Sequence, residues 1–86
     1  MTDRPRRKAN LTEDEMDEDL LIVDFRGSQI HVLNPAAAAI WELCDGQYTV
    51  EQIAALMAGH LGLPNERVQQ DVAKVVDEFR EKGLVE

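Results

Sequence analysis

The chain of 86 residues contains few of the side chains that carry catalytic or metal-binding chemistry. Cys44 is its one cysteine, which excludes an internal disulfide and a CxxC metal or redox motif. The two histidines, His31 and His60, lie far apart in the sequence, and neither belongs to an HExxH zinc motif. A serine–histidine–aspartate motif and a phosphate-binding glycine-rich loop are also missing. The sequence therefore predicts a protein that is not an enzyme and that binds no metal or cofactor.

Long hydrophobic runs are absent as well. No apolar stretch approaches the roughly 18 residues that a membrane-spanning helix requires, and no hydrophobic region of a signal peptide is present. A chain of 86 residues is expected to bury a single core, which leaves little room for a large enzyme pocket. We therefore expect a small cytoplasmic protein that does not associate with a membrane.

Charge is abundant but segregated along the chain, whose formal net charge is -8. Residues 1–10 contain four basic side chains and one acidic one, whereas residues 11–20 contain six acidic side chains and no basic one. Blocks of like charge are typical of mobile segments. We therefore predict a flexible basic tail over residues 1–10 and a folded domain over residues 11–86.

Three short strands are predicted in the first half of the chain. Residues 20–25 and 29–33 are β-branched or apolar runs that flank a short turn, which is the pattern of a β-hairpin. Gly27 is expected to supply the positive φ of that turn. Residues 11–16 are expected to add a third strand, because an isolated hairpin is marginally stable in water.

Two helices are predicted to follow the strands. Asn34 and Pro35 are a typical N-cap and first helical residue, and Gly46 is expected to supply the left-handed residue that ends this helix. Thr49 begins a capping-box pattern with Gln52 that predicts the start of the second helix. One side of the second helix is predicted to carry Ile53, Leu56, Met57 and His60.

A third helix is predicted from a cap at Asn65 to Lys82, with Gly83 as the left-handed residue that follows it. Leu84 is then expected to fold back onto Phe79. The predicted core stripe of this helix consists of Val68, Val72, Val75 and Phe79. One flank carries Gln69, Ala73, Val76 and Arg80, and the other carries Arg67, Asp71, Lys74, Glu78 and Glu81.

On the first of these flanks the apolar arc of the helix is wider than a single packing stripe requires. We expect Ala73 and Val76 to line a groove there. The alternative is that this flank packs under the hairpin as ordinary core.

Several motifs together resemble the PqqD family. They are LNPA at 33–36, IWEL at 40–43, DG at 45–46, TVE at 49–51, Ile53, DV at 71–72 and KGLV at 82–85. The resemblance covers about residues 11–86. It implies an α+β fold like a winged helix-turn-helix, with about three antiparallel strands followed by three helices. It also implies a peptide-recognition element for ribosomally made, post-translationally modified peptides.

The resemblance further implies that the leader of a precursor peptide binds as an added strand beside the third strand, against the third helix. An edge strand offers unpaired amides and carbonyls, so strand addition gives affinity with little demand on sequence. The residues predicted to bind peptide are Gln29, Ile30, His31, Val32 and Leu33 on the strand, with Gln69, Val72, Ala73, Val76 and Arg80 on the helix. Arg80 is expected to pair with an acidic leader residue.

The implied partner that receives the peptide is a modifying enzyme such as a radical SAM enzyme, a cyclase or a leader peptidase. Two other interpretations remain open, namely a winged-helix DNA-binding regulator and an adaptor domain that binds only a partner enzyme. Nucleic acid is disfavoured because the third helix carries about as many acidic as basic residues, and phosphate contacts dominate DNA affinity.

Overall fold

The computed structural model describes residues 3–86, in which three strands precede three helices. The elements are β1 (Leu11–Met16), β2 (Asp19–Asp24), β3 (Gln29–Leu33), α1 (Pro35–Leu43), α2 (Val50–Leu61) and α3 (Asn65–Glu81). The strands form one antiparallel sheet in the order β1-β2-β3. The predicted α+β class and the predicted order of elements are confirmed.

The two faces of the sheet differ because side chains alternate along each strand. Leu20 is paired with Leu33 and Ile22 with His31, so these residues share the face that packs on the helices. Leu20, Ile22 and Leu33 are buried there. The opposite face carries the exposed side chains of Ile30 and other residues, so the sheet is covered on one side only.

Local signals set most of the helix ends as predicted. The Asn34 side chain accepts a hydrogen bond from the Ala37 amide at 2.8 Å, and the Thr49 capping box is complete. At the end of α3 the Leu84 amide donates to the carbonyl of Phe79 at 2.8 Å, while Gly83 has φ 72°. This is a Schellman stop, in which the glycine takes the left-handed conformation that other residues rarely adopt.

Three details of the turns and caps differ from the expectations. Asn65 is the first residue of α3 and not its cap, because Pro64 precedes the helix without a side-chain cap. In the hairpin turn Ser28 has the positive φ of 53°. The Gly27 amide donates to the Asp24 carboxylate, and a Cβ on Gly27 would lie 2.7 Å from that carboxylate, so the Asp24 side chain would have to shift. Gly46 has the predicted left-handed conformation, with φ 84°, but Cys44 is the C-cap of α1.

The N-terminal strap, which we define as residues 5–8, is paired with the folded domain, although it lies within the flexible tail predicted over residues 1–10. Its amides and carbonyls form hydrogen bonds with Cys44, Gly46, Leu84 and Glu86 at 2.8–3.1 Å. Pro5 is fully buried, and the Arg7 guanidinium donates to the carbonyls of Trp41 and Glu42 at 2.8 and 2.9 Å. The strap joins the end of α1 to the C-terminus, and these long-range partners are not visible in composition. Met1 and Thr2 of the predicted tail lie outside the described residues.

Trp41 occupies the centre of the core. It is 1% exposed and meets Phe79 in a T-shaped arrangement with ring centroids 5.5 Å apart. Its indole N–H donates to Glu13 at 3.0 Å, which links α1 to β1, and the Arg7 guanidinium lies 5.9 Å from its ring. A large aromatic side chain with its polar atom satisfied in this way ties sheet, helices and strap together.

Within α2 the buried residues are Ile53, Ala54 and Ala58, with Met57 partly buried. Leu56 is 49% exposed and His60 is also exposed. The predicted side of α2 that carries Ile53, Leu56, Met57 and His60 is therefore only partly buried, because the packed arc of the helix is centred on Ala54 and Ala58. No helix within residues 3–86 is long and apolar enough to cross a membrane.

Candidate peptide-binding cleft

The strand β3 forms one edge of the sheet. It pairs with β2 on one side, and no other strand of residues 3–86 pairs with its second side. Its outward-facing side chains, Ile30 and Val32, are 66% and 60% exposed. An edge strand of this kind presents unpaired backbone amides and carbonyls to an added strand.

The other edge of the sheet, β1, has a different chemistry. Its sequence LTEDEM carries three consecutive acidic residues, and all its residues after Leu11 are exposed. Charged side chains on an edge strand oppose the addition of another strand. The two edges therefore differ, and β3 is the edge without charged residues.

A cavity of about 280 Å³ lies beside the end of β3. It is bounded by three elements, namely the end of β3, the start of α1 and one side of α3. Its lining residues are Val32, Leu33, Asn34, Ala36, Ala37, Ile40, Asp71, Val75, Glu78, Phe79 and Lys82. We call this cavity, together with the free edge of β3, the β3–α3 cleft.

The floor of the cleft is apolar and its α3 rim is charged. Ile40 and Phe79 are 4% and 2% exposed, so they form a fixed base, and Val75 is half-buried above them. Asp71 precedes Val75 and Glu78 follows it on the same side of α3 at helical spacing, and Lys82 continues this side at the C-cap of the helix. All three charged residues are exposed. An apolar base with a few polar groups at its rim is the usual form of a ligand site.

The side of α3 that faces the cleft is not the side that the sequence predicted. Val76 is 0% exposed and belongs to the buried cluster, whereas Val75 lines the cleft. Val76 is therefore part of the core, as the alternative interpretation expected, whereas Val75 packs only partly against the core and also lines the cleft. Because α3 packs along α2 as well as α1, its buried arc extends over Val72 and Val76.

The remaining helix residues of the predicted site lie elsewhere. Gln69 and Ala73 line a separate surface pocket of about 410 Å³ with Glu66 and Gln70. Arg80 forms an ion pair with Asp3 at 2.5 Å, so it faces the N-terminus and not the cleft. Val72 is 1% exposed in the core beneath.

His31 lies on the core-facing side of β3 and is half-buried. Its Nε2 atom is buried and has no hydrogen-bond partner among the described residues. The five residues of β3 that were predicted to bind peptide therefore lie on one edge strand.

The sequence signal for the α3 side of the cleft was missed. It is the stripe Asp71, Val75, Glu78 and Lys82, whose 4, 3, 4 spacing matches that of the predicted core stripe.

Metal-ligating and nucleophilic side chains are dispersed among the described residues. Within residues 3–86 no group of three or more metal-ligating side chains converges. Cys44 is fully buried, and burial raises the pKa of its thiol to about 11, against the smaller opposing effect of Arg7. A neutral buried thiol behaves as a small apolar side chain and not as a nucleophile.

The fold and this site define a small winged-helix-like domain with one open, uncharged sheet edge beside an apolar cleft. The chain belongs to the PqqD family, since the model of that family, described as coenzyme PQQ synthesis protein D, matches residues 19–85. The resemblance seen in the sequence is confirmed.

Two solved structures have a similar fold. One is described as TbiB1 in complex with the TbiA(beta) leader peptide, with TM-score 0.83 and 15% identity, covering 94% of each chain. The other is described as lasso peptide synthetase B1 complexed with the leader peptide, with TM-score 0.85 and 18% identity, covering 98% of this chain and 99% of that one. No protein of curated function matches this sequence.

Proposed function

We propose that this chain is a recognition element for the leader of a ribosomally synthesised precursor peptide. The leader binds as a fourth strand along β3, and the chain presents it to a peptide-modifying enzyme. The observation that carries the proposal is the free, uncharged edge of β3 beside the β3–α3 cleft. Family membership supports it, as do the leader peptides named in the two similar structures.

Affinity and selectivity have separate sources in this arrangement. Backbone hydrogen bonds from β3 hold any extended segment, because they do not depend on side chains. Alternate side chains of the added strand then lie on the core-facing side, where the base of the cleft offers Ile40, Val75 and Phe79. An apolar leader residue placed there is removed from water, which supplies selectivity.

The proposed site therefore retains Gln29, Ile30, His31, Val32 and Leu33 as the pairing strand. The opposing side is formed by Asp71, Val75 and Glu78 of α3 in place of the flank expected from sequence. The chain itself binds and orients the peptide, and the chemistry belongs to the enzyme that receives it. A radical SAM enzyme, a cyclase or a leader peptidase each fits this role.

A titration with peptide fragments tests the proposal. The probes are the leader and the core of the precursor peptide encoded beside this chain, measured by calorimetry against the full chain. We expect one leader segment to bind and the core fragment not to bind, because only the leader is selected by the cleft. Equal binding of both fragments, or binding of neither, would overturn the proposal. A nonspecific DNA duplex at low salt serves as a control, and no mobility shift is expected.

A further inference from the structure

The outward side of α2 carries an uncharged strip that neither the core nor the cleft uses. Gln52, Ala55, Leu56 and Gly59 follow one another at positions i, i+3, i+4 and i+7, which places them on one side of the helix. All four are exposed, Leu56 at 49%. We call these four residues the α2 strip.

The composition around the α2 strip is unusual for this chain. Between Gln47 and Leu63 the one acidic or basic residue besides His60 is Glu51, although 30% of the whole chain is charged. A shallow pocket of about 280 Å³ lies on the strip, lined by Tyr48 together with Gln52, Ala55 and Leu56. Depletion of charge around exposed apolar and aromatic side chains is typical of the centre of a protein interface.

Gly59 gives an independent indication that another backbone packs against the α2 strip. A glycine at an exposed position inside a helix is less stable than an alanine, so it needs a reason. A Cβ built on Gly59 meets nothing within 4 Å, so no described part of the chain requires the missing side chain. What the absent side chain does permit is the close approach of another backbone from outside.

The α2 strip is also separate from the peptide site. The cavity of the β3–α3 cleft is lined by β3, α1 and α3, and it includes no residue of α2. A partner on the strip therefore does not occupy the place of the leader. Both surfaces can be used at the same time.

A second copy of this chain is a poor occupant for the strip. A helix of 12 residues is about 18 Å long and about 10 Å wide, so one face offers roughly 200 to 400 Å². A stable complex buries about 800 Å² on each partner. Two copies would in addition bring together net charges of -8 each.

A contact of this size is sufficient to position the enzyme when the precursor peptide also connects the enzyme to this chain. If the leader is held by this chain while the attached core enters the enzyme, the enzyme is kept at high effective concentration near the strip. Small residues beside a leucine at helical spacing fit the packing of another helix. An uncharged surface excludes a partner that relies on ion pairs.

We propose that the α2 strip docks an uncharged, apolar helix of the peptide-modifying enzyme while the leader occupies β3. This inference rests on the proposed function. It adds a second contact, on the α2 side of the domain, by which the enzyme is positioned.

The test compares two leucines of α2 that are similarly exposed but lie on different sides of the helix. Leu56→Glu changes the strip, whereas Leu61→Glu changes a residue that is 52% exposed on the opposite side of the helix. The probe is the purified modifying enzyme encoded beside this chain, with its affinity measured by biolayer interferometry while the full precursor peptide, leader and core together, is bound to this chain. We expect Leu56→Glu to weaken enzyme binding at least tenfold and Leu61→Glu to change it less than twofold. Leader affinity should be unchanged in both variants.

Gly59→Ala provides a second measurement that a merely structural role would not explain. It should raise the melting temperature, because alanine favours the helix, and yet weaken binding of the enzyme at least threefold. Unchanged enzyme affinity in Leu56→Glu, an equal loss in Leu61→Glu, or no binding of the enzyme to the parent chain would overturn the proposal. Self-association that Leu56→Glu abolishes would overturn it in favour of a second copy. Failure of the leader to bind the parent chain would instead refute the proposed function.

Discussion

A pair of neighbouring substitutions on α3 separates the fold from the cleft. Val75 and Val76 have the same side chain, but Val75 lines the β3–α3 cleft and Val76 is 0% exposed. Val75→Glu places a carboxylate at the rim, where it can reach water. Val76→Glu places it in the core. Arg80 lies one turn further along the same side of the helix, but it is already paired with Asp3. The two variants are matched in composition, charge and position along the chain.

The magnitudes follow from burial. Keeping a buried carboxyl neutral at pH 7, when its ordinary pKa is about 4.3, costs about 3.7 kcal/mol. Loss of a buried valine adds about 1.5 to 2 kcal/mol. Against a total stability of about 4 to 13 kcal/mol for a domain of this size, the summed cost of about 5 to 6 kcal/mol removes from roughly two fifths to all of the free energy of unfolding. Val75→Glu should cost about 1 kcal/mol or less.

Circular dichroism melts and leader titrations measure the two effects. Val75→Glu should melt cooperatively within about 8 °C of the parent and bind leader at least tenfold more weakly, because the apolar base of the cleft then faces a charge. Val76→Glu should melt far below the parent at pH 7, or lose its transition altogether, and should regain stability as the pH is lowered toward 4. An unchanged leader affinity in Val75→Glu, or a Val76→Glu variant that melts as close to the parent as Val75→Glu does, would refute the assignment of these sides of α3.

Two further predictions concern the strap and the buried thiol. Arg7→Ala removes the donor to two carbonyls at the end of α1 and should cost about 1 to 2 kcal/mol in chemical denaturation. Arg4→Ala, at an exposed residue just before the strap, should cost little. An equal loss of stability in the two variants would show that the strap contributes to stability only through its charge. Cys44 should resist a thiol reagent at pH 8 unless the protein is unfolded. Because burial raises its pKa from 9.0 to about 11, its contribution to stability is complete below pH 9 and is lost as the pH rises toward 11. Rapid labelling of the native protein would contradict the buried position.

The sequence was most informative where the determining interactions are local. The Asn34 cap, the Thr49 capping box and the Schellman stop at Gly83 each join residues three to five positions apart, and all three are present. The strand β3 has the predicted bounds because its turn and its alternating pattern are also local. Strand order then follows from the succession of hairpins, which leaves β3 at an edge.

The parts that could not be predicted depend on contacts between distant segments. Composition made the N-terminus appear mobile, but Pro5 and Arg7 find partners at the end of α1 and at the C-terminus. Helical periodicity cannot say which flank of α3 faces the sheet, because rotation about the helix axis is set by packing against α1 and α2. A rotation of one residue exchanges Val75 and Val76, which is why Val76 was expected beside a groove but is buried.

Amide hydrogen exchange on the chain with and without leader tests the central claim most directly. If the leader adds as a strand at β3, amides of residues 29–33 that are not already paired with β2 should become protected at saturating leader, with Val75 perturbed across the cleft. The acidic edge of β1 and the surface around Gln69 and Ala73 should be unaffected. Protection confined to β1 or to that surface, with β3 unchanged, would contradict the account.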